Sequence, residues 1–267
     1  MSTGMVISAF ETIIYEKTDG VAYVTLNRPE VMNRHNVQMR DDTYQVLNAI
    51  RDDPEVLVAV FKGAGERAFC VGADLSEFGT APPPALARQV RFERDIWGTF
   101  PTIKQPLIAA VHGYVLGSGV EIACFCDIRI AAEDAVFGLP EVSLGMIPAG
   151  GGTQTVPRLI GAGRTLQMFL TGERLDAREA HRIGLVNMVV SREQLYPTAD
   201  RIARTIASRG PIAVRSVKEA VNRGTEVTLD EGLAIEKRLA RAVGKTRDAK
   251  EGVTAYVEKR IPRFENA

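Results

Sequence analysis

The sequence predicts an α/β core followed by an all-helical region. Short apolar runs typical of buried strands alternate with helical patterns over the first two thirds of the chain, and only helical periodicity remains after residue 195. The chain has 267 residues, enough for one large domain or for a core with a smaller appendage. We therefore predict an α/β core with the active site over residues 1–194 and a helical C-terminal region over residues 195–267.

The first segments predict a hairpin, a helix and a buried strand. Residues 12–17 and 21–26 are rich in Ile, Val, Tyr and Thr, and Asp19-Gly20 between them is a typical hairpin turn. Residues 37–50 carry apolar side chains at helical spacing. Residues 56–61 are almost entirely apolar, which is typical of a strand buried on both faces.

The middle of the chain repeats this alternation. Residues 107–111 form a second apolar strand pattern that leads into the glycine-rich turn at residues 117–119. Residues 120–125 then predict a helix, and residues 127–131 predict another strand. Strands that alternate with helices in this way favour largely parallel or mixed sheets.

The last third predicts four amphipathic helices. Ser191 and Gln194 form a capping-box pattern in front of the apolar stripe of residues 195–207. Further helical patterns follow at residues 212–222, 235–243 and 249–259. Each of these helices must bury one face, either against the core of the same chain or in a subunit interface.

The composition excludes several classes of protein. With 45% hydrophobic and 25% charged residues, the chain is neither disordered, collagen-like nor a small disulfide-stapled scaffold. The 33 basic and 33 acidic residues give a net charge of zero, so no nucleic-acid partner is expected. Three cysteines are too few for a disulfide framework and favour a reducing compartment.

The sequence also predicts neither a secretory signal nor a membrane span. The N-terminal segment has no basic residue before Lys17 and carries Glu11. No apolar run approaches the roughly 18 residues that a membrane span needs. We therefore expect a cytoplasmic protein without membrane association.

Two turns built of small residues are candidates for an oxyanion hole. Residues 69–75 and 113–121 each join a predicted strand to a predicted helix, so backbone N–H groups are exposed near a helix start. Two such groups converging on one oxygen would stabilise negative charge, helped by the helix dipole. The alternative is that the small residues only allow a strand to turn tightly into a helix.

Two glutamates follow apolar segments and are the candidate acid–base groups. Glu121 comes directly after the second turn, and Glu141 follows the strand-like residues 135–138. Two carboxyl groups in a dry pocket would allow one to stay protonated and the other ionised. Alternatively, each glutamate is only a helix cap or an ion-pair partner.

Other common site patterns are missing. Ser118 lacks the G-x-S-x-G context of a nucleophile elbow, and the three histidines show no metal-ligand spacing. Gly150-Gly151-Gly152 is not followed by the lysine of a phosphate-binding loop. The sequence therefore predicts no metal site and no dinucleotide site.

From about residue 12 to residue 264, the chain resembles the enoyl-CoA hydratase/isomerase (crotonase) superfamily. The matching segments are residues 26–29, 69–78, 113–127, 137–141, 145–154, 180–186 and 258–262. The resemblance implies a core of repeated ββα units and a C-terminal helical trimerisation region, with trimers paired into hexamers. It also implies acyl-CoA thioester substrates and no cofactor, since coenzyme A is part of the substrate.

The resemblance also assigns roles to individual residues. The backbone N–H groups of Ala73 and Ser118 would bind the thioester oxygen. Glu121 would act as base toward a water that adds to C3 of a 2-enoyl-CoA, and Glu141 would act as acid toward C2. The implied substrate-binding residues are Ala73, Asp74, Leu75, Ser76 and Ser118.

Two departures and two alternatives accompany the resemblance. Many members have glycine at the position of Ser118, and many have phenylalanine at the position of Gly244. Residues 82–97 shape the acyl pocket in this family, so Trp97 lies either in the wall of that pocket or in the core. Having both glutamates favours a hydratase over a Δ3,Δ2-enoyl-CoA isomerase or a specialised dehydratase. A non-catalytic, RNA-binding relative would be expected to lack a glutamate or to carry a basic face.

Overall fold

The protein has a mixed α/β fold with two sheets, as described by a computed structural model over residues 5–7, 10–77 and 93–267. The strands are β1 (Met5–Ile7), β2 (Ile13–Thr18), β3 (Val21–Leu26), β4 (Val58–Gly63), β5 (Ala68–Cys70), β6 (Leu107–Val111), β7 (Tyr114–Leu116), β8 (Ile128–Ala132), β9 (Val136–Gly138), β10 (Leu175–Asp176) and β11 (Met188–Val190). One sheet has the order β1-β2-β3-β4-β6-β8-β11 and the other the order β10-β9-β7-β5.

Helices surround these sheets. Within the described residues they are α1 (Val37–Asp52), α2 (Ile96–Thr99), α3 (Ser118–Phe125), α4 (Gly152–Ile160), α5 (Ala162–Thr171), α6 (Ala177–Arg182), α7 (Leu195–Ala207), α8 (Pro211–Gly224), α9 (Leu229–Val243) and α10 (Arg247–Val257). Most neighbouring strands are parallel, and antiparallel pairing is confined to β1 with β2, β2 with β3 and β9 with β10. The predicted α/β class is confirmed.

The predicted N-terminal hairpin is confirmed. β2 and β3 are antiparallel, and Thr18 lies opposite Val21 across the turn. Asp19 and Gly20 have φ values of 51° and 80°, the left-handed conformation that a tight two-residue hairpin turn requires. Aspartate and glycine tolerate this conformation better than other residues.

The central strands are buried on both faces, as the apolar runs predict. α1 and the aromatic side chains near α3 cover one face of the large sheet. α7 covers the other face and places Leu195, Ala199 and Ala203 against β3, β4, β6 and β8. The apolar stripe of residues 195–207 therefore packs on the core of its own chain.

The start of α7 differs from the prediction. Ser191 caps a short 3-10 helix, Arg192–Gln194, without a side-chain hydrogen bond, so the predicted capping box is wrong. This 3-10 segment directly precedes α7, which begins at Leu195. A capping box does form at the start of α9, between Thr228 and Glu231.

The three helices after α7 expose much of their apolar surface. Val217, Leu229 and Tyr256 are 64%, 78% and 86% exposed, and α9 buries no residue. These side chains form what we call the tail surface, which comprises Val217, Val221, Leu229, Leu233, Val253, Tyr256 and Val257. The division at residue 195 stays a prediction.

The turn after β5 leads into a 3-10 helix, Leu75–Glu77, and the proline-rich segment at residues 82–84 lies outside the described residues. The second turn matches the prediction, because α3 begins at Ser118 after β7.

Gly119 is expected to be essential for seating α3 on β5. A methyl group at this position would lie inside van der Waals contact of the Cys70 carbonyl oxygen and 3.1 Å from Cys70 Cβ. Gly119→Ala should therefore lower the free energy of unfolding by about 1–3 kcal/mol in urea titrations. Gly163→Ala is the matched helical control, since Gly163 has no neighbour within 4 Å and the change should be neutral or stabilising. Equal stability of the two variants would contradict this packing.

Candidate active site

The two glycine-containing turns contact each other through their backbones. Gly72 and Gly117 have φ values of 94° and 51°. A methyl group on Gly117 would lie 3.2 Å from Gly72 Cα, and one on Gly72 would lie 3.7 Å from the Ser118 nitrogen. Only glycine combines these φ values with so close a backbone approach. The contact brings the Ala73 turn next to the first residue of α3.

Both predicted oxyanion donors present backbone N–H groups at this contact. Ser118 is the first residue of α3, so its N–H has no acceptor within the helix. Ala73 forms a parallel bridge with His35. In this bridge, the His35 N–H group donates to the Gly72 carbonyl oxygen at 2.9 Å and the Asp74 N–H group donates to the His35 carbonyl oxygen at 3.3 Å, so the Ala73 N–H group is not used. The structure thus places the two predicted donors on neighbouring turns.

Glu121 lies in the first turn of α3 and is only 3% exposed. Its Oε1 atom accepts hydrogen bonds from the Gly150 and Gly152 N–H groups, at 2.7 and 3.1 Å. A glutamate placed inside an apolar segment is therefore held by two backbone donors. This arrangement fixes the carboxyl group and favours its ionised form.

Glu141 approaches the same place from β9, the strand next to β7 in the small sheet. It is the first residue of a 3-10 helix, Glu141–Leu144, that follows β9. Its Oε1 would lie 3.0 Å from a methyl group on Gly117, so the carboxyl group sits beside the start of α3. Its Oε2 is buried and has no hydrogen-bond partner. An unpartnered buried oxygen favours the neutral acid over the carboxylate.

Burial raises the pKa of both carboxyl groups above the ordinary value of 4.5. For Glu121, the two backbone hydrogen bonds oppose this rise in pKa, and the negative charge of Glu141 adds to it. The two groups are therefore electrostatic neighbours. Such a pair can share one proton, as acid–base chemistry requires.

The predicted substrate-binding loop is organised by Asp74. Its carboxylate accepts hydrogen bonds from Ser76 Oγ at 2.8 Å and from Arg28 Nη1 at 3.2 Å. The hydrogen bond from Ser76 and the Arg28 guanidinium lower the pKa of Asp74, so it stays ionised. Leu75 is 48% exposed. Asp74 thus shapes the loop, whereas Leu75 exposes an apolar side chain at the surface.

The sequence reasoning missed the residues that anchor Glu121. Gly150 and Gly152 lie in a family-matching segment and were excluded as a phosphate-binding loop, but it was not predicted that their N–H groups hold the Glu121 carboxyl group. The useful signal was the glycine triplet before α4, because glycine leaves its N–H group accessible. The sequence left open whether Trp97 lines the acyl pocket or packs in the core. Its ring stacks on Phe100 and Phe125 and also lies against Gly150.

Over residues 5–7, 10–77 and 93–267, no helix is long and apolar enough to cross a membrane. In the same ranges, no group of three or more His, Cys, Asp or Glu side chains is placed to hold a metal ion.

The raised pKa of Glu121 predicts a gain in stability when its charge is removed. Since the folded-state pKa lies above the ordinary value of 4.5, the parent protein loses stability as pH rises through that folded pKa. Glu121→Gln should therefore be more stable than the parent at neutral pH, and this advantage should shrink toward pH 4.5 in urea unfolding.

Glu179→Gln is the control of opposite sign. Hydrogen bonds from Arg182 lower the pKa of Glu179, so this carboxylate adds stability above its ordinary pKa. The substitution should lower stability at neutral pH and not at acidic pH. A Glu121→Gln variant that follows the same pH trend as Glu179→Gln would contradict the electrostatic account of the site.

Known proteins match this chain over nearly its whole length. The sequence profile of the enoyl-CoA hydratase/isomerase family matches residues 16–267. A protein of Clostridium acetobutylicum named short-chain-enoyl-CoA hydratase is 42% identical over 255 residues, covering 95% of this chain and 98% of that protein. The (E)-benzylidenesuccinyl-CoA hydratase of Thauera aromatica is 40% identical over 257 residues, covering 96% and 99%.

The fold comparison agrees with the sequence comparison. The crystal structure of enoyl-CoA hydratase from Bacillus anthracis superposes with a TM-score of 0.91 at 40% identity, and the match covers 96% of this chain and 100% of that one. The resemblance inferred from the sequence segments is confirmed: the chain belongs to the enoyl-CoA hydratase/isomerase family.

Proposed function

We propose that the protein is an enoyl-CoA hydratase that adds water reversibly across the 2,3 double bond of a 2-enoyl-CoA thioester. The observation that carries this proposal is the pair of buried glutamates beside two neighbouring turns with available N–H groups. The printed names of the relatives, among them a short-chain-enoyl-CoA hydratase, support the same reaction.

The N–H groups of Ala73 and Ser118 would hold the thioester oxygen. As water adds to C3, negative charge moves onto this oxygen in an enolate-like transition state. The amino end of α3 contributes its positive dipole at the same place. One donor of this kind is worth about 2.7–4 kcal/mol in comparable sites.

The different hydrogen bonding of the two glutamates suggests which one is the base and which one is the acid. Glu121 accepts two backbone hydrogen bonds and is suited to be the carboxylate base that takes a proton from water. Glu141 has a buried oxygen without a partner and is suited to be the acid. The water oxygen bonds to C3, its proton passes to Glu121, and the Glu141 proton passes to C2.

The other parts of the proposal concern substrate and assembly. Coenzyme A would enter as part of the substrate along residues 73–76, so no separate cofactor or metal is needed. We further propose that the tail surface is buried in a homotrimer, with trimers able to pair into hexamers, because Tyr256 and Leu229 are too exposed for a monomer in water. The free cysteines are buried, which suits a cytoplasmic enzyme.

An isomerase is the alternative reaction within the family. Moving a double bond requires one carboxyl group to carry a proton between two carbons. Here two carboxyl groups, Glu121 and Glu141, interact electrostatically, and this favours hydration, which must handle both protons of water. Mass analysis of the product separates the reactions, since hydration adds one water and isomerisation leaves the mass unchanged.

Both glutamates should be required for hydration of crotonyl-CoA. Glu121→Gln and Glu141→Gln should each lower kcat by about 10²–10⁴-fold, because each removes one proton-transfer group. Loss of the enone absorbance measures the rate, and Glu179→Gln serves as the surface control that keeps parent activity. Parent rates in both site variants would refute the two-carboxyl mechanism.

Ser118→Pro tests the oxyanion hole without disturbing the start of the helix. Proline is well tolerated at the first helical position, and this change removes the N–H group proposed to bind the thioester oxygen together with the serine hydroxyl group. We expect kcat for crotonyl-CoA to fall about 10²–10³-fold.

Ser118→Ala is the matched control for this substitution. It keeps the N–H group and removes the hydroxyl group, so its kcat should stay close to that of the parent. If Ser118→Pro and Ser118→Ala have the same kcat and circular dichroism shows both to be folded, the Ser118 amide is not an oxyanion donor.

A further inference from the structure

Trp97 is the sole tryptophan of the chain and lies next to the acid–base site. It belongs to α2 and is partly buried. Its ring stacks against Phe100 and Phe125, with centroid distances of 6.3 and 6.1 Å. Phe100 and Phe125 are nearly parallel to each other at 5.2 Å. The indole therefore packs on two aromatic rings of the core.

The edge of the indole reaches Gly150 and Glu121. A methyl group on Gly150 would lie 2.6 Å from Trp97 Cε2 and Cζ2, and it would also collide with Glu121 Oε2. The ring edge and the carboxylate oxygen therefore crowd against the same Cα atom. The N–H group of this glycine holds the other carboxylate oxygen, Oε1, at 2.7 Å.

On its other side, Trp97 meets the residue that holds the Ala73 turn. The His35 ring lies 6.1 Å from the Trp97 ring, and the His35 peptide forms the bridge to Ala73. His35 Nε2 lies 3.4 Å from Thr43 Oγ1. Burial lowers the pKa of His35 to about 3, so the ring stays neutral. Trp97 thus stands between the oxyanion turn and the acid–base pair.

We propose that Trp97 is a positioning residue that holds Glu121 in its working orientation by packing over Gly150, and that residue 150 must be glycine for this packing. The inference rests on the proposed hydratase function. Glu121 Oε1 is fixed by two N–H groups, whereas the indole edge limits the space open to Oε2. A displacement of about 1 Å at a reacting group can cost about a hundredfold in rate.

The first test compares two substitutions in the same aromatic stack. Trp97→Leu should lower kcat for crotonyl-CoA hydration by about tenfold or more, with a much smaller change in KM. Phe100→Leu removes a neighbouring ring of the same stack. The three atoms nearest to a methyl group on Gly150 belong to Glu121 and Trp97 and not to Phe100, so this change should lower Tm and leave kcat close to the parent value. Equal kcat in the two variants would overturn the inference.

The second test asks whether Trp97 and Gly150 act as one unit. Gly150→Ala should lower kcat strongly in the parent background, because the new methyl group collides with the indole and the carboxylate. In the Trp97→Leu background the same change should cost less, since only the collision with the carboxylate remains. Additive losses in the double variant would show that the two positions act independently.

A third test does not depend on turnover, so it distinguishes failure of this inference from failure of the proposed function. Emission of Trp97 should change as Glu121 ionises, in a titration of the whole protein excited where tyrosine does not absorb. Glu121→Gln should abolish this transition, and Glu141→Gln should retain it at lower pH because a neighbouring negative charge is lost. Among the described residues, the other titratable groups near Trp97 and Glu121 include His35, Asp95, Cys70 and Cys124, and Asp95 accepts a hydrogen bond from the backbone N–H group of Trp97 at 3.0 Å.

Hydration activity tests the proposed function, and the fluorescence titration tests the coupling of Trp97 to Glu121. No hydration by the parent enzyme would refute the proposed function, and the fluorescence titration alone would then decide whether Trp97 and Glu121 are coupled. An emission transition that persists unchanged in Glu121→Gln would overturn the coupling, whatever the activity. His35 does not confuse the titration, because its pKa of about 3 lies below the raised pKa values of both glutamates.

Discussion

The site depends on one close approach of backbone to backbone, between Gly72 and Gly117. Each glycine has a φ value that other residues rarely adopt, and a methyl group on Gly117 would lie only 3.2 Å from Gly72 Cα. Their contact sets the Ala73 turn beside the start of α3 and determines where Glu121 and Glu141 can meet. The large sheet and its helices provide the rigid support that keeps this contact in place.

A second constraint is the cost of burying two carboxyl groups. Desolvation raises the pKa of both, and the fold offsets this cost unequally, giving Glu121 two backbone donors and leaving one oxygen of Glu141 without a partner. When both groups are glutamates, a difference in the hydrogen bonds that offset desolvation would distinguish the base from the acid. The site therefore carries electrostatic strain that a more stable protein would avoid.

Local sequence patterns predicted much of the fold but less of the site. The hairpin turn at Asp19-Gly20 and the buried β6 follow from residue types and spacing alone, and both are confirmed. The capping box at Ser191 was wrong, because the local pattern does not distinguish the start of a regular helix from that of the short 3-10 helix that precedes α7. The anchoring of Glu121 by Gly150 joins residues 29 positions apart, which no local periodicity encodes.

The most direct test of the two-glutamate account is a crystal structure with the bound product of crotonyl-CoA hydration, 3-hydroxybutanoyl-CoA. The account predicts the thioester oxygen within about 3 Å of both the Ala73 and Ser118 nitrogens. It also predicts the C3 hydroxyl group within hydrogen-bond distance of both Glu121 and Glu141. A thioester oxygen bound elsewhere, or a hydroxyl group that contacts neither glutamate, would contradict it.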